Sequence, residues 1–111
     1  SCISLRRDFL INFLNNVNKK KFPHLEVDAR IAIFSKIYIN EYNILNKKLT
    51  YYNYDQNGIT ANIKKYSKVW WIRRSEAFSY LKIIMKKKKQ LFIFSFDYYI
   101  TNFLTFLFKN I

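Results

Sequence analysis

The stretch of this chain best equipped for chemistry runs from Lys64 to Arg74 and reads KKYSKVWWIRR. Lys64, Lys65, Lys68, Arg73 and Arg74 set cations beside Tyr66, Trp70 and Trp71. Cations neutralise phosphates, and flat side chains stack on unpaired bases or sugar edges, so the mixture suits RNA. A plainer reading makes one tryptophan a core residue and the cations a solvated face. On a strand, adjacent tryptophans point to opposite sides, one inward and one available to RNA or a neighbouring protein. Further basic groups stand at Arg6 and Arg7, at Lys19, Lys20 and Lys21, and at Lys86, Lys87, Lys88 and Lys89. Such runs are often solvated turns, but on a strongly cationic chain each adds phosphate contacts. Arg6 and Arg7 oppose the dipole of a helix starting there, which an external anion explains better than helix stability does.

Other chemistries find little to work with. Cys2 is the single cysteine and His24 the single histidine, so no disulfide forms within the chain and no Cys/His zinc site is expected. The seven acids are scattered, with no carboxylate pair or nucleophile–base pair at a motif spacing. One glycine removes glycine-rich phosphate loops. The expectation is therefore a non-enzyme without metal or cofactor. Arg6, Arg7 and Asp8 interrupt the start, so no secretory signal is expected either.

Composition narrows the class. At 111 residues, half of them hydrophobic and 20% aromatic, the chain has material for one domain with a modest core. Twenty Lys and Arg against seven Asp and Glu give a net charge of +13, and such self-repulsion favours seating on a polyanion. Phe, Tyr, Ile, Asn and Lys fill 62 of the 111 positions, whereas Gly, Pro, Ala and Arg together fill 11. The first set is written in AT-rich codons and the second in GC-rich ones. An AT-rich genome follows, with organelle DNA as its commonest source.

The elements that must position these residues read as follows. Residues 6–18 carry Phe9, Leu10, Phe13, Leu14 and Val17 at helical spacing, and the Lys19–Lys21 run and Pro23 end that helix. Val27 to Ile39 alternates Ile31, Ile33, Ile37 and Ile39 and predicts a strand. Asn40 caps a second helix through Tyr42, Leu45 and Leu49, and Asp55 to Gly58 is a turn. Ile59 to Lys65, Lys68 to Arg74 and Phe78 to Met85 predict three more strands, and Lys86 to Lys89 a charged connection. Gln90 to Ile111 predicts a helix whose Phe92, Phe96, Tyr99, Phe103 and Phe106 stripe packs on the sheet or on a neighbouring protein. The expected architecture is a single α+β domain spanning 1–111, a small antiparallel or mixed sheet packed by two or three helices.

Part of this order resembles the bacterial-type large-subunit ribosomal protein five family. The matching pieces are FPHLE at Phe22 to Glu26 followed by ARIAIF, then Gln56 to Thr60, Lys64-Lys65, Ile72-Arg73, Lys82-Ile83-Ile84 and Phe92 to Tyr99. Where the family carries glycines after the Ile-Arg pair, this chain reads Arg74-Ser75-Glu76-Ala77. The resemblance implies a seat in the central protuberance of the large subunit near 5S rRNA, with a loop at Arg73 and Arg74 approaching P-site tRNA. The predicted function is a structural constituent of an organellar ribosome, mitochondrial or alternatively plastid, with rRNA and neighbouring ribosomal proteins as partners.

The alternative is a small accessory subunit of an organellar inner-membrane complex, anchored by residues 91–108. Leu91 to Phe108 is apolar over a length just enough to be considered as a span. Asp97 near its middle costs about 2.5–3.5 kcal/mol on insertion scales, which argues against membrane.

Overall fold

The computed structural model describes residues 3–16, 21–39, 47 and 62–111. Among the described residues the protein is all-helical: α1 (Arg7–Asn15), α2 (Val27–Tyr38), α3 (Lys68–Lys87) and α4 (Phe96–Asn110). The expected α+β sheet is therefore corrected. The expected strand Val27 to Ile39 is helical over Val27–Tyr38, and the two strands expected at Lys68–Arg74 and Phe78–Met85 are one continuous helix. The strands needed for the ribosomal resemblance at these places are absent with them. Of the expected strand Ile59–Lys65, residues 62–65 are turn and irregular backbone, and the rest lies outside the described residues. So do the helix from Asn40, the Asp55–Gly58 turn and Val17.

Local physics explains the corrections. Ser67 caps α3, its hydroxyl accepting from the Trp70 amide at 3.3 Å, and this satisfies one of the orphan donors of the first turn. From there to Lys87 no Gly or Pro interrupts the chain, and Ser75-Glu76-Ala77 is tolerated or favoured in a helix. In α2 the alternating isoleucines mask a second pattern: Arg30 and Phe34 are buried one turn apart, and Phe34 stacks on Tyr38 a turn later, centroids 4.2 Å apart. Asp28 in its first turn and Lys36 in its last suit the helix dipole.

The α3 C-terminus closes with a paired cap. Gln90 donates its amide to Met85 O and Lys89 to Lys86 O, the arrangement that usually places glycine between them. Here Lys89 takes that left-handed position at φ 55, because a chain with one glycine must use other residues. At the far end of the helix, Tyr66 does the same at φ 65.

The core joins α1, α2, α3 and the connection between the first two. Phe13, Phe22, Leu25, Phe34, Tyr80 and Ile84 are buried together. Phe9 and Phe13 meet Phe34 edge-on, each at 5.5 Å, and Phe22 meets Tyr80 at 5.8 Å. Arg30 is buried too, its guanidinium donating to the Leu25 carbonyl at 3.1 Å and to that of Phe22. It thereby staples the Phe22–Leu25 turn to α2. The His24 amide and ring contact the Glu76 carboxylate at 2.9 and 3.0 Å, which fastens the same turn to α3.

The tail is a helix, but among the described residues its aromatic stripe finds no sheet to pack on. Ser95 caps α4, accepting from the Tyr98 amide. Its buried residues are Thr101 and Thr105, while Phe96, Tyr99, Phe103 and Phe106 are exposed at 59–81%. With no sheet beneath it, α4 packs on α3 through hydroxyls and carboxamides that match polar groups of that helix. Thr101 Oγ1 accepts from Arg74 Nε at 3.2 Å, Ser75 Oγ lies 3.2 Å from Asn102 Oδ1, and Thr105 Oγ1 is within reach of Trp71 O at 3.1 Å. Phe78 and Tyr98 add an edge-to-face contact at 5.6 Å.

Candidate nucleic-acid interface

Arginine and lysine divide the work in this structure. Arg73 pairs with Glu26, tying α3 to the entrance of α2. Arg74 pairs with Asp97 and lies over the Trp70 ring at 5.3 Å and the Phe78 ring at 5.8 Å. Both guanidiniums thus fasten helices. They sit within α3, so the loop that the resemblance used to bring them to tRNA is a turn of helix. Glu26 and Asp97 are the carboxylates that claim them, and the sequence pointed to neither pairing: Asp97 stood out only as an acid inside an apolar stretch. Both are acids beside the first turns of two helices.

The lysines behave differently. Lys64, Lys65, Lys68, Lys86, Lys87, Lys88 and Lys89 are all exposed, and none enters an ion pair among the described residues. They fall into two groups at opposite ends of α3, a 20-residue helix and hence about 30 Å long. Near the first group, Lys65 Nζ stands 5.0 Å from the centre of the Tyr66 ring. In the second, Lys87 Nζ donates to Asn16 Oδ1 at 3.1 Å and Lys88 lies over Tyr38 at 4.6 Å. The ends of α1, α2 and α3 therefore meet around these lysines. Lys86 and Lys87 complement the helix dipole, but that effect is worth about 0.3–1 kcal/mol and fades within one turn. Four successive lysines exceed it.

The remaining expected residues are dispersed. Arg6 is the residue preceding α1 and Arg7 its first, both exposed. Lys21 is exposed, with its ammonium 5.9 Å from the Phe22 ring, and Lys19 and Lys20 lie outside the described residues. Among the described residues, the lysines expected at Lys64–Lys68 and Lys86–Lys89 thus form two groups at the two ends of α3, and Arg6, Arg7 and Lys21 lie apart from the 64–68 group.

Trp70 and Trp71 do not separate to opposite faces. On a helix they are neighbours; both are half-buried, with ring centres 4.6 Å apart and planes nearly perpendicular at 88°. Tyr66 closes the group at 5.1 Å from Trp70 and 6.1 Å from Trp71. Beside it opens a cleft of about 450 Å³ whose lining includes Glu26, Ile63, Lys65, Trp70, Arg73 and Arg74.

Compared with known proteins, the chain matches no family model, no curated protein and no solved structure. Among the described residues, no helix is long and apolar enough to cross a membrane. The segment considered as an anchor has no regular secondary structure over 91–95 and is helical only from Phe96.

Proposed function

We propose that this protein is a structural RNA-binding component of a ribonucleoprotein particle, with an organellar ribosome as the setting its composition favours and the large subunit as the seat the resemblance implies. The observation that carries the reading is the pair of exposed lysine groups at the two ends of α3, which enter no ion pair among the described residues, on a chain of net charge +13. Lysine is a mobile, strongly hydrated point charge suited to phosphates. Two groups about 30 Å apart can neutralise two separate stretches of RNA backbone. Double-helical RNA is recognised mainly by shape and backbone, so this mode needs no base readout. It holds converging RNA segments together by removing their mutual repulsion.

The test is sedimentation of the tagged chain from an organelle lysate. It should co-migrate with the large ribosomal subunit and be released by ribonuclease or high salt. Isolated protein should bind structured RNA with affinity falling by about 10³ or more between 50 and 200 mM salt, the response for six or more phosphate contacts. A flat salt response, or retention with membranes until detergent is added, would overturn the reading.

A further inference from the structure

Tyr66 is the most unusual residue of the lysine-rich end. Its left-handed backbone, φ 65, is unfavourable for any residue with a Cβ, and its ring is left 59% exposed instead of buried. The ring leans on both indoles, and the three together form a corner of flat surfaces. Lys64 and Lys65 precede it and Lys68 follows.

We propose that this corner and the adjoining cleft receive one unpaired nucleotide of the bound RNA, its base stacked on Tyr66 and its phosphates held by Lys64, Lys65 and Lys68. The inference rests on the RNA-binding reading and names the part of the RNA that this end of α3 takes. Charge decides which group enters the cleft. Arg73 and Arg74 line it, but their partners Glu26 and Asp97 neutralise both. A phosphate placed there would face the Glu26 carboxylate, whereas a neutral flat base fits against Trp70 and Ile63. Lys64, Lys65 and Lys68, which have no carboxylate partner among the described residues, are exposed outside, where the sugar–phosphate chain would run.

Magnitudes favour the exchange. Lys65 now sits over the Tyr66 ring, an exposed cation–π contact worth about a factor of 2–5. A stacked base is worth about a factor of 5–150. The base therefore displaces the ammonium, which then meets the phosphate beside it.

The chain's two tryptophans both belong to this corner, so tryptophan emission, excited selectively over the tyrosines, reports on it. The intact protein is titrated with a short single-stranded RNA and with an RNA duplex of equal length. Both should bind, but only the single strand should quench tryptophan emission. Tyr66→Ala, which keeps a Cβ at the same backbone position, should weaken single-strand binding about 5- to 150-fold and leave duplex affinity unchanged. Tyr66→Phe should stay within about twofold of wild type because it keeps the ring. Equal quenching by both RNAs, or a Tyr66→Ala loss below about twofold, overturns the stacking site and leaves backbone binding standing. Failure of both RNAs to bind overturns the RNA reading itself.

Discussion

Arg74 makes three kinds of contact at once: an ion pair with Asp97, a hydrogen bond to Thr101 and packing on Trp70 and Phe78. The ion pair is partly solvated and worth about 0.2–1 kcal/mol. The hydrogen bond adds about 0.5–1.5 kcal/mol and the ring contact about 0.5–1 kcal/mol. Arg74→Ala should therefore cost about 1–3 kcal/mol of stability, read from chemical unfolding, and should loosen α4 first. Unchanged stability with reduced RNA affinity would mean that Arg74 meets RNA and not α4. Tyr80 is the other residue with a measurable signature. Burial raises its phenol above the usual tyrosine range, against the opposing charge of Arg30 and with a small further push from Tyr38. Its hydroxyl has no hydrogen-bond partner among the described residues. The folded state thus keeps a proton that the unfolded chain releases near about pH 10. This contribution to stability is complete below that pH and is lost as pH rises toward the higher folded value. Unfolding midpoints measured from about pH 9 to about pH 11 should fall more steeply for wild type than for Tyr80→Phe; parallel curves would refute the assignment.

Among the elements, α4 makes the sharpest prediction. Its inward face is Thr101 and Thr105, with the Thr105 hydroxyl 2.7 Å from Thr101 O and 3.1 Å from Trp71 O. Thr105→Leu should destabilise by about 1–3 kcal/mol through overpacking and lost hydrogen bonding. Phe103→Asp, on the exposed stripe, should change thermal stability by no more than about 0.5 kcal/mol. The opposite order would show that the aromatic face is the packed one. The aromatic period identified a helix, and residues 96–110 are one, but burial was assigned to the largest side chains. The face that α3 offers is Trp71 O, Arg74 and Ser75, and small hydroxyl and carboxamide groups complement it better than rings do. The α1 helix was legible, since Phe9 and Phe13 do face the core. In α2 and α3, β-branched and aromatic residues pointed to strands. When Ile, Phe, Tyr, Asn and Lys fill 62 of 111 positions, however, those residues land on helices by supply. Propensity differences of at most about 0.7 kcal/mol per residue cannot resist an uninterrupted, capped segment with a core to bury. The lysine clusters were visible as runs, and the aromatic corner as KKYSKVWWIRR. The carboxylate partners of Arg73 and Arg74 were not, because both come from distant elements.

At the scale of the whole molecule, the exposed α4 stripe meets the net charge of +13. Phe96, Tyr99, Phe103 and Phe106 face outward, and what keeps such surfaces apart between copies is electrostatic repulsion among lysines. That repulsion reaches about 10 Å at 0.1 M salt and about 3 Å at 1 M, so the salt that would free the protein from RNA under the proposed function also removes its protection against self-association. Colloidal stability and nucleic-acid release are thereby set in opposition. Under the proposed function, a bound polyanion would act as a dispersant as well as a ligand, and the chain would be most vulnerable to clumping in the interval between its synthesis and its capture.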